Sequence, residues 1–119
     1  MGSTTTPAQR SLKYLRDRNY TAQVVERWNP YGRVRVDLFG FIDIVAISYF
    51  NGKIFGVQTT SAAHVNDRIK KILQIKEAKY WLEAGAKIYV HGWSKKGKIG
   101  KRKLWEVNVR EITLRDFNE

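Results

Sequence analysis

The chain has 119 residues, enough for one domain around one core, and no cysteine, which excludes a disulfide framework and a thiolate zinc site. Lys and Arg number 22 against 11 Asp and Glu, a formal charge of +11 that points to a polyanionic partner. At 43% hydrophobic the chain is too apolar for a disordered basic tail, and two histidines are too few for a histidine-rich metal site.

The opening stretch MGSTTTPAQR lacks the apolar segment of a signal peptide. Residues 1–6 read as a flexible leader and 7–119 as a single domain. No apolar run approaches ~18 residues, so a membrane partner is not expected and a cytoplasmic location is. PAQRSLKYLRDR predicts a first helix over residues 7–18, with Pro7 in its first turn. YTAQVVERW predicts a strand over 20–28, and NPYG a turn over 29–32. RVRVDLFGFIDIVAI predicts one central strand over 33–47, with Gly40 marking a bulge or a close backbone approach. Asn51-Gly52 signals a hairpin into KIFGVQT. A helical pattern runs over 62–83, slips phase near Gln74 and ends at Gly85. AKIYVHGW, a basic loop and LWEVNVREITL complete an αβββαββ order, with the strand after the main helix parallel to an earlier one. All four tryptophans are expected in the core, and His91 in a structural role.

GFIDIVAISYFNGKIFGVQTTS places Asp43 among Phe41, Ile42, Ile44 and Val45. A carboxylate there costs several kcal/mol unless it is hydrogen-bonded, paired or metal-bound. Asp37 lies six residues earlier, on the same face of a regular strand, where the two carboxylates would repel unless a cation lay between them. The next strand ends in the polar cluster Gln58, Thr59, Thr60 and Ser61.

The GFIDIVAI strand resembles the GxxD strand of resolvase-like members of the PD-(D/E)XK nuclease superfamily, and the hairpin into VQTTS resembles the acid-x-Lys strand that follows it there. The resemblance covers about Pro7 to Trp93. It implies an α/β fold with a restriction-endonuclease-like αβββαβ core, a mixed central sheet and flanking helices. By register Asp43 matches the motif Asp, Gln58 the acid, Thr59 the middle position and Thr60 the lysine. Two positions depart from the pattern: Gln58 offers an uncharged amide oxygen, and Thr60 no cation. A replacement cation would come from Lys53, Arg68 or Lys70. The resemblance implies a Mg²⁺ or Mn²⁺ site, with Asp43, Asp37, Gln58, the Thr59 carbonyl and Glu26 as oxygen donors. A helix 1 acid, Asp17, is a weaker candidate. A homodimer is implied likewise, and the small size fits a phage or mobile-element enzyme.

SKKGKIGKRK carries Lys95, Lys96, Lys98, Lys101, Arg102 and Lys103, a density suited to following a phosphate backbone. Arg33, Arg35, Arg68 and His64 are further candidates for phosphate contact. The leading expectation is a Mg²⁺-dependent endodeoxyribonuclease acting on DNA, including branched or Holliday-junction-like DNA. The first alternative is a non-catalytic DNA- or RNA-binding module on the same fold. A small basic RNA-binding or ribosome-associated protein is the second; it accounts for the charge but not for Asp43.

Overall fold

The computed structural model describes residues 5–97, 100 and 103–117. Helix α1 spans Pro7–Asp17. Thr6 caps it: its hydroxyl accepts from the Gln9 amide at 3.1 Å while Gln9 Oε1 accepts from the Thr6 amide at 3.0 Å. This reciprocal capping box is worth about 1 kcal/mol, and Pro7 occupies the first turn as its sequence predicts.

Strands β1 (Thr21–Val24), β4 (Ile44–Ser48), β5 (Lys53–Ser61), β6 (Lys87–Lys96) and β7 (Leu104–Ile112) form one sheet in the order β1-β4-β5-β6-β7. Only β5 and β6 run parallel, so the sheet is mixed. The β5–β6 crossover carries a 3-10 turn over Ala62–His64, then α2 (Val65–Ile72) and α3 (Lys76–Glu83). The predicted phase slip near Gln74 is where the helix divides: the Gln74 and Ile75 amides donate to Lys71 and Ile72 carbonyls in a tightened turn.

Helices cover both faces of the sheet. Leu12 and Leu15 of α1 pack on Ile44, Ala46, Phe55 and Val57. Ile69, Ile72, Ala78 and Trp81 of α2 and α3 pack on Val45, Ile88 and Val90. Alternate residues of β4 therefore feed opposite cores, which is why that stretch reads as continuously apolar. Gly92 permits the second layer to sit close: a Cβ there would lie 2.2 Å from Val65 Cγ2 and 3.1 Å from the Ala62 Cα.

Two predicted strands are broken. The 20–28 segment divides after Val24, and Arg27–Asn29 becomes β2. The 33–47 segment divides too: Val34–Val36 is β3, paired antiparallel with β2 in a separate two-stranded ribbon. Between β3 and β4 the chain folds back on itself. Leu38 and Ile42 exchange backbone hydrogen bonds across residues 39–41, with Phe39 at φ 56° and Gly40 at φ 85°. Gly40 thus serves a reversal and not a bulge in a straight strand. The tryptophan expectation also divides. Trp93 is buried and Trp81 packs against the core, but Trp28 and Trp105 are exposed.

Candidate metal centre

The excursion into the β2–β3 ribbon places an acid at each of its junctions with the main sheet. Glu26 stands where the chain leaves β1, and its amide and that of Val25 donate to the Asp43 carbonyl, at 3.3 and 2.8 Å. Asp37 follows β3, and Asp43 immediately precedes β4. The result is a convergence of Glu26, Asp37 and Asp43, with one carboxylate oxygen from each lying within 4.8 Å of the others. Sequence reasoning expected Asp37 and Asp43 to meet by strand alternation. They meet because the Leu38–Ile42 reversal sets them side by side at its base.

Asp43 is buried and held by β5. Its Oδ2 accepts from the Thr59 amide (2.7 Å), the Thr59 hydroxyl (3.0 Å) and Gln58 Nε2 (3.0 Å). Gln58 Nε2 also reaches Asp37 Oδ2 at 3.3 Å, so one amide group ties two acids together. All three bonds to Asp43 fall on Oδ2, which leaves Oδ1 for another partner. Burial pushes the Asp43 acid up to about 8, and the neighbouring Asp37 and Glu26 carboxylates push the same way; the Thr59 amide opposes them. Gln58 Oε1 is buried with no hydrogen-bond partner. Three converging carboxylates are the donor set a hard cation takes, and an amide flip would turn the unpartnered Gln58 Oε1 toward them. Oxygens on one Mg²⁺ lie ~3.0 Å apart when cis and ~4.2 Å when trans, so three acids within 4.8 Å of one another can close onto such an ion by side-chain rotation, and the residues fit it.

These groups line a cleft of about 430 Å³ together with Thr6, Pro7, Ala8, Arg35, Arg68 and Lys71. Arg35 pairs with Glu26 at 3.5 Å. Arg68 Nε reaches the Thr60 hydroxyl at 3.5 Å, so a cation of the cleft lies beside the end of β5. Lys70 is exposed on α2 and does not line the cleft, whereas Lys71 does. Helical spacing explains the difference: Lys71 is three residues from Arg68 and shares its face, while Lys70 is two residues away. That spacing was readable in the sequence. The approach of the α1 N-terminus to the cleft was not, because no local pattern reports it.

The other candidates lie elsewhere. His64 is exposed, 3.7 Å from Asp67, in a depression that shares Arg68 and Lys71 with the cleft. Arg33 is exposed at the ribbon turn, at φ 53°. Asp17 pairs with Lys13 at 2.7 Å on the outside of α1. Lys53 begins β5, at the opposite end of that strand from Gln58. The predicted basic loop is shorter than expected, because β6 and β7 extend into it: Lys95 lies 5.3 Å over the Trp105 ring and Lys96 is 3.9 Å from Glu106. Lys103 is exposed, and Lys98, Lys101 and Arg102 lie outside the described residues.

Comparison with protein-family models, with characterised proteins and with solved structures yields no match. The site therefore stands on its own geometry: a mixed α/β fold carries a three-carboxylate cluster able to coordinate a metal ion, at the base of a cleft edged by cations. No helix among the described residues is long and apolar enough to cross a membrane.

Proposed function

We propose that this chain is a divalent-metal-dependent nuclease of the PD-(D/E)XK type that hydrolyses DNA phosphodiester bonds, with branched or otherwise structured DNA as its substrate class. The observation that carries the reading is the convergence of Glu26, Asp37 and Asp43 beside Arg35, Arg68 and Lys71. The three acids would hold Mg²⁺ or Mn²⁺. Gln58 orients two of them through Nε2, or, with its amide flipped, would offer Oε1 as a further donor. The Thr59 amide and hydroxyl fix Asp43. Arg68, seated against Thr60, takes the place of the motif lysine and binds a phosphate oxygen as negative charge builds there. A divalent cation, when bound, shields the phosphate and lowers the pKa of the attacking water. Arg33, His64, Lys95, Lys96 and Lys103 are assigned to the flanking backbone, in keeping with the net charge of +11.

A second reading is a non-catalytic DNA-binding module on this fold. It is favoured by one observation: Asp43 Oδ2 already receives three protein hydrogen bonds, and Gln58 and Thr60 supply no charge. Calorimetric titration of Mn²⁺ into the metal-free chain separates the two. The nuclease reading expects saturable binding, weakened at least roughly tenfold by Asp43→Asn. DNA binding with no Mn²⁺ binding would establish the module instead.

A further inference from the structure

A second cleft lies at the other end of β5, between the last turns of α1 and the starts of β5 and β6, and shares no residue with the acidic one. Its volume is about 230 Å³. Arg18, Lys53 and Lys87 supply cations, Tyr14, Tyr20 and Tyr89 supply aromatic walls, and no carboxylate lines it. Phe55 stands between Tyr20 and Tyr89, edge-on to both at 5.4 and 5.2 Å. Arg18 is held in place by stacking 3.6 Å over Tyr14 and by donating to the Tyr14 carbonyl at 3.1 Å. Lys87 is tethered to Glu111 at 3.5 Å.

The floor of this cleft is chemically specific. His91 lines it and is 2% exposed. Its Nδ1 lies 2.9 Å from the Ser11 hydroxyl, which also receives the Trp93 indole N–H at 2.8 Å. The indole nitrogen can only donate, so it takes one Ser11 lone pair, and the Ser11 hydroxyl proton is available to His91 Nδ1. In the tautomer where Nδ1 accepts that proton, the neutral imidazole carries its own proton on Nε2. Burial, with Arg18 adding to it, holds the imidazole down at about 4, so it stays neutral at pH 7. The cleft thus presents cations and phenols, with the His91 imidazole in its floor and no carboxylate in its lining.

We infer that this second cleft binds a nucleotide unit: the phosphate lies between Arg18 and Lys53, the base lies against the tyrosine walls, and His91 Nε2–H donates to it. The unit is either a free nucleotide or the 5′-phosphorylated end of a strand. Arg10 stacked 3.5 Å over Trp105 continues the cationic and aromatic surface along α1, and a strand held at its end could follow it. The inference is independent of the nuclease reading, because it uses none of the acidic-cleft residues.

The test is calorimetry on the full chain at about 0.15 M salt, where long-range attraction is screened, with deoxyadenosine monophosphate, inorganic phosphate, and short oligonucleotides with and without a 5′-phosphate. Saturable binding of the monophosphate, tighter than inorganic phosphate, is expected. Arg18→Gln and Lys53→Ala should each weaken it by roughly tenfold, while Lys76→Ala on α3 leaves it unchanged. Competition by the 5′-phosphorylated oligonucleotide alone would identify a strand end as the source; a better result for the mononucleotide would identify a free nucleotide. Either supports the site. Equal binding of phosphate and nucleotide, equal weakening by Lys76→Ala, or no saturation overturns it. An imidazole ¹⁵N spectrum gives a readout that requires no variant: a His91 Nε2 resonance unmoved by the monophosphate also overturns it.

Discussion

At Asp43 two forces oppose each other. Burial and neighbouring carboxylates favour the neutral acid, and the Thr59 amide favours the carboxylate; the balance lies at about 8. A metal ion must then displace a proton at pH 7. Mn²⁺ affinity is expected to rise with pH up to about 8 and then level off, and calorimetry in buffers of different ionisation enthalpy should read about one proton released per ion. Linkage fixes the sign for stability as well. An acid raised in the folded state favours folding fully below its unfolded value of ~3.9, and that contribution is lost as pH rises through about 8. The metal-free chain should therefore lose denaturant stability between those limits relative to Asp43→Asn, and equal slopes for the two would remove the assignment. At Thr60 the prediction follows from Arg68. Because that guanidinium already reaches the Thr60 hydroxyl, Thr60→Lys should set two cations against each other and lower cleavage, and Arg68→Ala should lower it by roughly 10²-fold, the scale of losing one charge-stabilising donor. Gln58→Glu should tighten Mn²⁺ binding by adding a charge to the donor set. Cleavage indifferent to Arg68→Ala would place the phosphate elsewhere.

Among the elements, the Leu38–Ile42 reversal decides the site's geometry. Gly40 sits at φ 85°, and the space a Cβ would take is open apart from Ile75 Cδ1 at 3.7 Å. Gly40→Val should therefore act through backbone strain, at a cost of about 1–2 kcal/mol, and should loosen Asp37 from Asp43. Mn²⁺ affinity should fall further than in a surface variant of equal stability. Gly92→Ala tests a different contact. Its methyl would run into Val65, and overpacking of this kind costs about 1–3 kcal/mol; thermal unfolding reads that cost, and the displacement of α2 would move Arg68. The helices, the Asn51-Gly52 hairpin and the parallel β5–β6 pair were legible because capping, turn residues and periodicity are local signals. The division of the 33–47 segment was not. Leu38, Phe39 and Phe41 look like strand residues, and the reversal depends on Phe39 adopting a positive φ that its chemistry does not announce. Asp43 was singled out by its apolar neighbours and Asp37 by its spacing, but their meeting with Glu26 depends on this non-local excursion. Lys71 was missed in favour of Lys70 although helical spacing separates them.

Over the whole molecule, charge and burial set the response to salt and pH. Lys95 rests over Trp105 and Lys96 near Glu106, so both project from the paired ends of β6 and β7. Replacing both with Ala should reduce the log–log salt slope of DNA binding by up to roughly 2 units; an unchanged slope would mean that they face solvent only. His91, neutral when folded, gives stability that is present above its unfolded value of 6.5 and is lost as pH falls toward about 4. Thermal scans should show that acid-side loss, and a melting temperature constant from pH 7 to 4 would contradict it. The most direct test of the central claim is cleavage of a labelled branched DNA and its linear duplex control, with Mg²⁺, Mn²⁺ or chelator, by the wild-type chain and Asp43→Asn prepared together. The account predicts metal-dependent cleavage by the wild type, none with chelator, and none by Asp43→Asn at unchanged DNA affinity. Cleavage by Asp43→Asn equal to wild type, or DNA binding by the wild type with no cleavage in either metal, would contradict it.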